Sequence, residues 1–285
     1  MQIIIPMTGI GKRFLDAGYT RPKPLIEVEG KPIIEYVVNM FPGETDFVFI
    51  VNEDHARETD LLEVIKRIAP TAQIVLAPKE KWPVSSALRA EHLIKDDEHC
   101  IVCYCDFFMV RDYEAFKARV MAGEYDGAVP SYIGFHPHLL HVEKKYASMR
   151  VDKDNLMLEI REKHSFTENL MESHQSAGMY HFKSWAILKE YFKKLMDSGQ
   201  HINGEYYASV PYQLMVENGL SIYVHEVEKF CQRWTPEDLE EYNQRSRKIR
   251  SEKDNDRASE DDAKTYKYRK EYFEHPQVKK ILGEE

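Results

Sequence analysis

Residues 2–14 read QIIIPMTGIGKRF, and residues 21–25 follow as RPKPL. A short apolar run that ends in a glycine turn and then opens a helix is the usual place for backbone amides to meet a phosphate. Gly9 and Gly11 let the main chain approach an anion closely and take positive φ where a Cβ would clash, and Arg13 and Lys23 add positive charge suited to a polyphosphate. Taken alone the Gly-x-Gly-x-Arg turn is a weak signal, because α/β proteins also use strand–glycine turns for structural reasons. It is not the Walker pattern, since no Gly-Lys-Ser/Thr follows. The rest of the chain has to decide between cradle and turn.

Working outward, residues 26–28 read as a short strand, 33–40 as a helix, 47–51 (FVFIV) as a buried strand, 56–68 as a helix and 73–76 as a strand. Strands alternating with helices at this spacing predict a mainly parallel sheet. The polar loop over residues 77–87 then opens a helix that reaches about residue 94, with Ser85 or Ser86 as its cap. In an open α/β sheet, ligands gather outside the carboxyl ends of the strands, so this loop and the opening turn are expected to converge.

Residues 101–104 form the next apolar strand, which runs into Cys105-Asp106-Phe107-Phe108. A carboxylate at the end of a buried strand needs a partner. Asp106 is therefore a ligand for a hard divalent cation or a cap for the helix that starts near Tyr113. Cys100, Cys103 and Cys105 crowd this segment, but no second Cys or His pair stands at zinc-site spacing, and the apolar alternation reads as buried small side chains.

The second half changes character: strands at about 127–132, 147–151, 156–160, 178–182 and 221–227, with helices near 184–197 and 206–218, predict a mixed or antiparallel layer forming the other wall of a cleft. Its polar candidates are His136, the Glu162-Lys163 pair, Gly178 in Ser-Ala-Gly, and Glu205 in Asn-Gly-Glu-Tyr. An isolated Glu-Lys pair and a loop histidine each also have an ordinary surface reading. From Arg245 the composition turns highly charged, as a long helix or a disordered linker. Residues 266–282 regain enough apolar side chains to dock on the body or on a second subunit in a homodimer. The expected division is residues 1–243 as the domain and 244–285 as a tail.

Composition sets the outer limits. The 285 residues carry a formal net charge of −9, which argues against a general nucleic-acid binder, and a 43% hydrophobic content is ample for a core. No apolar run approaches the length of a membrane span, and residue 1 opens on a strand rather than a leader, so the expectation is a cytoplasmic protein.

Read together, IIIPMTGIGKRF, RPKPLIEVEGKPIIEYVV, YCDFF, REK, SAGMYHF and TPEDLEEY resemble, in that order, the nucleotidyltransferases that activate sugar 1-phosphates and related phosphorylated compounds, especially a bacterial branch linked to surface-polysaccharide synthesis. The resemblance covers about residues 1–243. It implies a Rossmann-like, mainly parallel (GT-A-like) α/β fold with a mixed acceptor-side layer. It further implies transfer of a nucleoside monophosphate from a triphosphate to a phosphorylated small molecule, with Mg²⁺ and release of pyrophosphate. By the same resemblance the nucleotide meets Thr8, Gly9, Gly11, Arg13 and Lys23; Met7 and Lys12 of the same turn, and Lys79, Pro83 and Ser85 of the converging second loop, join them as nucleotide candidates by their place in the chain. The acceptor meets Glu162 and Lys163, and His136, Gly178 and Glu205, polar candidates of the second half, join them as acceptor residues. Catalysis falls to Arg13, Lys23 and Lys163. Asp106 holds magnesium.

Two departures from the pattern stand out. Gln232 takes the position of a second metal-binding aspartate in many relatives, and Trp234 that of a glycine, which makes Glu226 or Glu228 the substitutes. The base-reading loop, residues 79–83, names no base; CTP is slightly ahead, with UTP, dTTP and GTP open. The alternatives are a glycosyltransferase of related fold, against which stands the missing Asp-x-Asp, and a nucleotide-binding regulatory protein that has lost catalysis.

Overall fold

The computed structural model describes residues 1–79, 83–140, 146–232, 235–250 and 260–284, with the backbone alone at 232, 245, 248–250 and 260–262. Strand β1 (Gln2–Met7) is buried along its whole length, as a central parallel strand covered on both faces must be. Its alternation sorts the core: Ile3, Ile5 and Met7 pack into one hydrophobic layer and Ile4 into the other, the period-two consequence of the pleat. Strands β2 (Glu27–Val28) and β3 (Lys31–Pro32) make a small antiparallel ribbon. Strands β4 (Phe47–Asn52) and β6 (Cys100–Cys103) flank β1 in parallel, and β5 (Gln73–Ala77) lies parallel outside β4.

The other half of the sheet is built from β8 (Gly127–Tyr132), β9 (Ser148–Val151), β10 (Met157–Arg161), β11 (His174–Ser176), β12 (Met179–Phe182) and β13 (Ile222–Glu226). The order across the ten-stranded sheet is β10-β9-β11-β8-β12-β6-β1-β4-β5, with β13 also on β8. β12 is the hinge of the design. It runs antiparallel to β6 on one side and to β8 on the other, so the parallel half passes into a mixed half, antiparallel except where β13 runs parallel to β8. Beside the sheet, β7 (Phe107–Val110) pairs antiparallel with β14 (Lys229–Gln232).

Several local readings change. The helix expected over 56–68 is two helices, Glu53–Glu58 and Leu61–Ile68. They part at Thr59, which is extended and whose hydroxyl donates to His55 O at 2.7 Å. Such side-chain bonds compete with the helix ladder. Ser85 and Ser86 do not cap their helix. It begins at Pro83, a residue suited to a first turn because it lacks an N–H, and Ser86 is fully buried inside it. The helix after β7 is capped by Asp112, whose carboxylate accepts from Ala115 N at 2.9 Å, which leaves Asp106 to another role.

The charged C-terminal region docks on the body. Tyr268, Tyr272, Phe273, Val278 and Ile281 of the helices Glu260–Glu274 and Pro276–Leu282 are buried, and Tyr268 Oη accepts from Phe230 N at 2.9 Å on β14. The helix Pro236–Arg250 runs without a break through residues 243 and 244. No described helix is long and apolar enough to cross a membrane.

Candidate active site

The opening turn is held from three sides. Gly11 sits in the left-handed region at φ 63°, before the short helix Lys12–Asp16, and a Cβ there would stand 3.4 Å from the Lys23 Cβ. The fold itself requires glycine at this point. Gly9 differs: it has no positive φ, and a Cβ would meet nothing within 4 Å. Since Gly9 lines a cavity, the open space beside its backbone is room for a ligand. Thr8, 3% exposed, donates its hydroxyl to Ser86 Oγ at 3.2 Å, and its carbonyl accepts from Asn52 Nδ2 at 2.9 Å. The turn is thereby tied both to the helix Pro83–Leu88 and to the end of β4. Sequence reading missed Asn52, because an asparagine before a helix signals only a cap, a second role it also fills by accepting from Asp54 N and His55 N.

At the end of β6, Asp106 meets Lys23. The Nζ–Oδ2 distance is 2.7 Å, and the two side chains are 15% and 20% exposed. Asp106 Oδ1 is buried and has no hydrogen-bond partner among the described residues. The Lys23 ammonium also lies 5.3 Å from the Phe14 ring centroid, a favourable cation–π distance. Cys105, next to Asp106, is a free thiol pushed up to about 12 by burial.

Two cavities adjoin at this pair. One is bounded by Met7, Thr8, Gly9, Gly11 and Pro83; the other by Arg13, Glu162, Lys163, Gly178, Glu205 and Tyr207. Lys23, Tyr104 and Asp106 line both. In the second cavity Glu162 is 6% exposed and its Oε1 is 3.6 Å from Lys163 Nζ, while Oε2 accepts from the Ser209 hydroxyl at 2.6 Å. Burial raises the Glu162 carboxyl above the usual range, against the lowering effect of Ser209 and Lys163. Lys163 has φ 55°, a left-handed backbone that costs a non-glycine residue about 1–3 kcal/mol and persists where surroundings enforce it. Its ammonium lies 5.1 Å from the Tyr207 ring.

Glycine at 178 is again demanded by the fold. Its φ is 82°, and a Cβ would crowd Phe107 Cε1 at 3.2 Å and Tyr104 Cδ2 at 3.3 Å. Glu205 is presented by a tight turn in which Asn203 and Gly204 have φ 53° and 77°. Ile202 and Glu205 exchange both backbone hydrogen bonds at 3.0 Å, the pattern that Asn-Gly favours. Tyr207 donates its hydroxyl to Glu205.

The remaining sequence candidates lie elsewhere. Lys12 is 75% exposed and pairs with Asp16 at 2.9 Å. Lys79 is exposed on the segment after β5, and Ser85 sits in the first turn of its helix; neither lines the two cavities. His136 is 4% exposed, packed between Tyr132 and Tyr268 at ring-centroid distances of 4.8 and 5.3 Å, and burial holds it down to about 4. It serves the seam where the C-terminal helix docks. His138 is buried beside Tyr132 Oη, and His141 lies outside the described residues. Glu226 is exposed on β13 and acts electrostatically on His174; Glu228 is 58% exposed and pairs with His275 at 3.4 Å. Neither lines the two cavities. Gln232 stands opposite Phe107 in the β14–β7 ladder, one residue from Asp106; Trp234 and residues 80–82 of the second loop lie outside the described residues.

Comparison with known proteins gives a consistent picture. Residues 3–167 match the model of the MobA-like NTP transferase domain family. Among curated proteins, UTP–glucose-1-phosphate uridylyltransferase 2 of Staphylococcus saprophyticus is 29% identical over 146 residues, covering 44% of this chain and 50% of that protein. The chain spans between 18% and 55% of the length of the curated relatives it matches. The solved nucleoside-diphosphate-sugar pyrophosphorylase of Vibrio cholerae superposes with a TM-score of 0.69 at 19% identity, covering 85% of this chain and all of that one. The inositol-1-phosphate CTP transferase of T. maritima superposes with a TM-score of 0.63 at 18% identity, over 83% of this chain and 90% of that one. Both structures share the fold.

Proposed function

The chain belongs to the family of MobA-like NTP transferase domains, and from that premise we propose that it transfers a nucleoside monophosphate from a triphosphate to a phosphorylated small molecule, a sugar phosphate first among them, releasing pyrophosphate. One observation carries this reading: two cavities share Lys23, Tyr104 and Asp106 as a common wall. A triphosphate in the glycine-turn cavity and an acceptor phosphate in the other meet at that wall, with the α-phosphorus between them.

The chemistry asks mainly for charge neutralisation. A phosphate monoester is already anionic near neutral pH, with a second pKa of about 6, so it needs no strong base. Bringing two anions together is the obstacle, since unit charges of like sign 4 Å apart repel by about 4 kcal/mol at an effective dielectric of about 20. Lys23 offsets this from the wall that both cavities share, Arg13 adds its charge from the acceptor-side cavity, and Lys163 orients the acceptor phosphate for in-line approach. Glu162, fixed by Ser209, accepts hydrogen bonds from the acceptor's hydroxyl groups.

The residues present fit a magnesium ion. Asp106 presents its carboxylate to both cavities, and carboxylate oxygen is the donor a hard cation takes. Among the described residues no group of three or more His, Cys, Asp or Glu could hold a metal, so Asp106 would hold it with phosphate oxygens and water. When bound there, the ion would stabilise charge that develops on the phosphoryl oxygens.

For the base we propose a pyrimidine, CTP slightly ahead of UTP. Uridylyl and CTP transferases stand among the proteins similar to this chain, and the base-side cavity is built from the short segments at Met7–Gly9 and Pro83. A cytoplasmic place in surface-polysaccharide synthesis follows from the same reading. The test is a thermal-shift screen of CTP, UTP, dTTP and GTP with Mg²⁺, followed by pyrophosphate release with a panel of sugar 1-phosphates and choline phosphate. Stabilisation by a pyrimidine triphosphate, with acceptor-dependent pyrophosphate, is the expected result. Triphosphate binding with no pyrophosphate from any acceptor would favour a non-catalytic binding protein.

A further inference from the structure

The Lys23–Asp106 contact joins the residue assigned to phosphate with the residue assigned to metal. At 2.7 Å the Lys23 ammonium is on Asp106 Oδ2, while Oδ1 is shut off from solvent without a partner. The oxygen open to an incoming cation is therefore the one that Lys23 holds. Among the described residues no cluster of further acids or histidines could bind a metal beside it. Two cations cannot share one exposed carboxylate oxygen without strong repulsion.

We infer that in the nucleotide-free protein the Lys23 ammonium occupies the cation position at Asp106, and that a divalent metal gains that carboxylate only after a polyphosphate has drawn Lys23 away. The inference rests on the nucleotidyl-transfer reading of the site. Lys23 has somewhere to go, because it lines the glycine-turn cavity as well as the acceptor cavity. The exchange makes the two ligands mutually reinforcing: triphosphate bound to Lys23 raises metal affinity at Asp106, and by linkage metal at Asp106 raises triphosphate affinity by the same factor. It also keeps the carboxylate paired in the resting protein, where an unpaired buried charge is costly.

The experiment counts bound Mn²⁺ by electron paramagnetic resonance in nucleotide-free protein near neutral pH, for wild type, Lys23→Met, Lys23→Gln and Lys23→Met/Asp106→Asn. Thermal melts identify any variant that fails to fold, and the two single substitutions guard against that outcome. Wild type is expected to bind Mn²⁺ weakly, the Lys23 variants about tenfold or more tightly, and the double variant to lose the gain. Equal Mn²⁺ affinity in wild type and a folded Lys23 variant would overturn the inference. So would a gain that survives Asp106→Asn. Calorimetry of the wild type with CTP and UTP in the presence of Mg²⁺ separates this from the functional reading. If triphosphate binds but removal of Lys23 leaves Mn²⁺ affinity unchanged, the exchange alone falls. If Mn²⁺ affinity rises but no triphosphate binds, Lys23 does occupy the cation position, and the polyphosphate-driven exchange falls together with the nucleotidyl-transfer reading.

Discussion

The Ser209 hydroxyl donates to Glu162 Oε2 at 2.6 Å, and it does so from a position with no solvent exposure. The bond joins the loop before the helix Val210–Glu217 to the end of β10 and leaves Oε1 facing Lys163 at 3.6 Å. Glu162 is thus set in one orientation by a residue that does not itself line the cavity. A hydrogen bond to a charged group contributes about 1.5–3 kcal/mol. Ser209→Ala is expected to raise the acceptor KM by about tenfold or more, with the triphosphate KM unchanged, and Ser209→Thr to restore it. Because the Ser209 bond is one of the influences lowering the Glu162 carboxyl, the acid limb of the pH profile should also move upward in Ser209→Ala. Steady-state kinetics with each substrate varied in turn provides the check.

Gly9 and Gly178 should separate ligand binding from folding. At Gly178 the positive φ and the crowding of Phe107 and Tyr104 give Gly178→Ala an expected loss of about 1–3 kcal/mol in stability. At Gly9 a Cβ finds open space, so Gly9→Ala should melt like wild type yet lose about tenfold or more in triphosphate affinity. Urea melts and calorimetry read the two effects apart. A Gly9→Ala protein that binds triphosphate normally would remove the cradle.

Acid should destabilise this protein through its buried and half-buried histidines. His136 and His225 are held to about 4 and His181 to about 3, each by burial, against about 6.5 when unfolded. Between those values the unfolded chain binds more protons than the folded one, so stability is full above about pH 6.5 and falls as the pH drops. Each histidine contributes a slope of up to about 1.4 kcal/mol per pH unit. His136→Phe keeps a ring between Tyr132 and Tyr268 but removes one titrating group. Its unfolding free energy between about pH 6 and pH 5 is expected to fall less steeply than that of wild type by about that amount; equal slopes would contradict the assignment.

The C-terminal helices should be indispensable to the body. Burying one large apolar side chain contributes about 1.5–3 kcal/mol, and Tyr268, Tyr272, Phe273, Val278 and Ile281 are all buried. Their sum is of the order of a domain's whole stability, about 5–15 kcal/mol. Truncation before residue 260 is expected to give insoluble or unfolded protein by circular dichroism. Tyr268→Phe, which leaves Phe230 N without its 2.9 Å acceptor, should cost about 1–3 kcal/mol.

The parallel half of the fold was legible in the sequence because its strands are continuous apolar runs bounded by glycine, proline and asparagine. β1 and β4 are buried at every residue. β7, β11 and β14 were not anticipated; only two or three residues separate each from β6, β12 or β13, so each reads as part of that neighbouring strand. At the site, the order of the motifs brought Arg13, Lys23, Asp106, Glu162 and Lys163 into view, and the structure gathers them around one cavity. Asn52 and Ser209 escaped notice, and Ser86 was read only as a helix cap, because their roles arise from contacts 44, 47 and 78 residues away in the chain, which no local pattern encodes. His136 drew attention as a loop histidine, but its aromatic neighbours come from β8 and from a helix more than a hundred positions downstream, and they make it part of the core.

The central claim is that triphosphate and phospho-acceptor meet at the wall formed by Lys23, Tyr104 and Asp106. Its most direct test is transfer of label from a pyrimidine triphosphate carrying radioactive phosphorus at the α position to a sugar 1-phosphate in the presence of Mg²⁺. The prediction is a phosphatase-resistant labelled product formed in step with pyrophosphate. Lys163→Ala should reduce it by about a hundredfold, with triphosphate affinity held within about threefold, and Asp106→Asn should abolish it. Triphosphate binding without a labelled product from any sugar 1-phosphate, or a product that forms equally well in Lys163→Ala, would contradict the account.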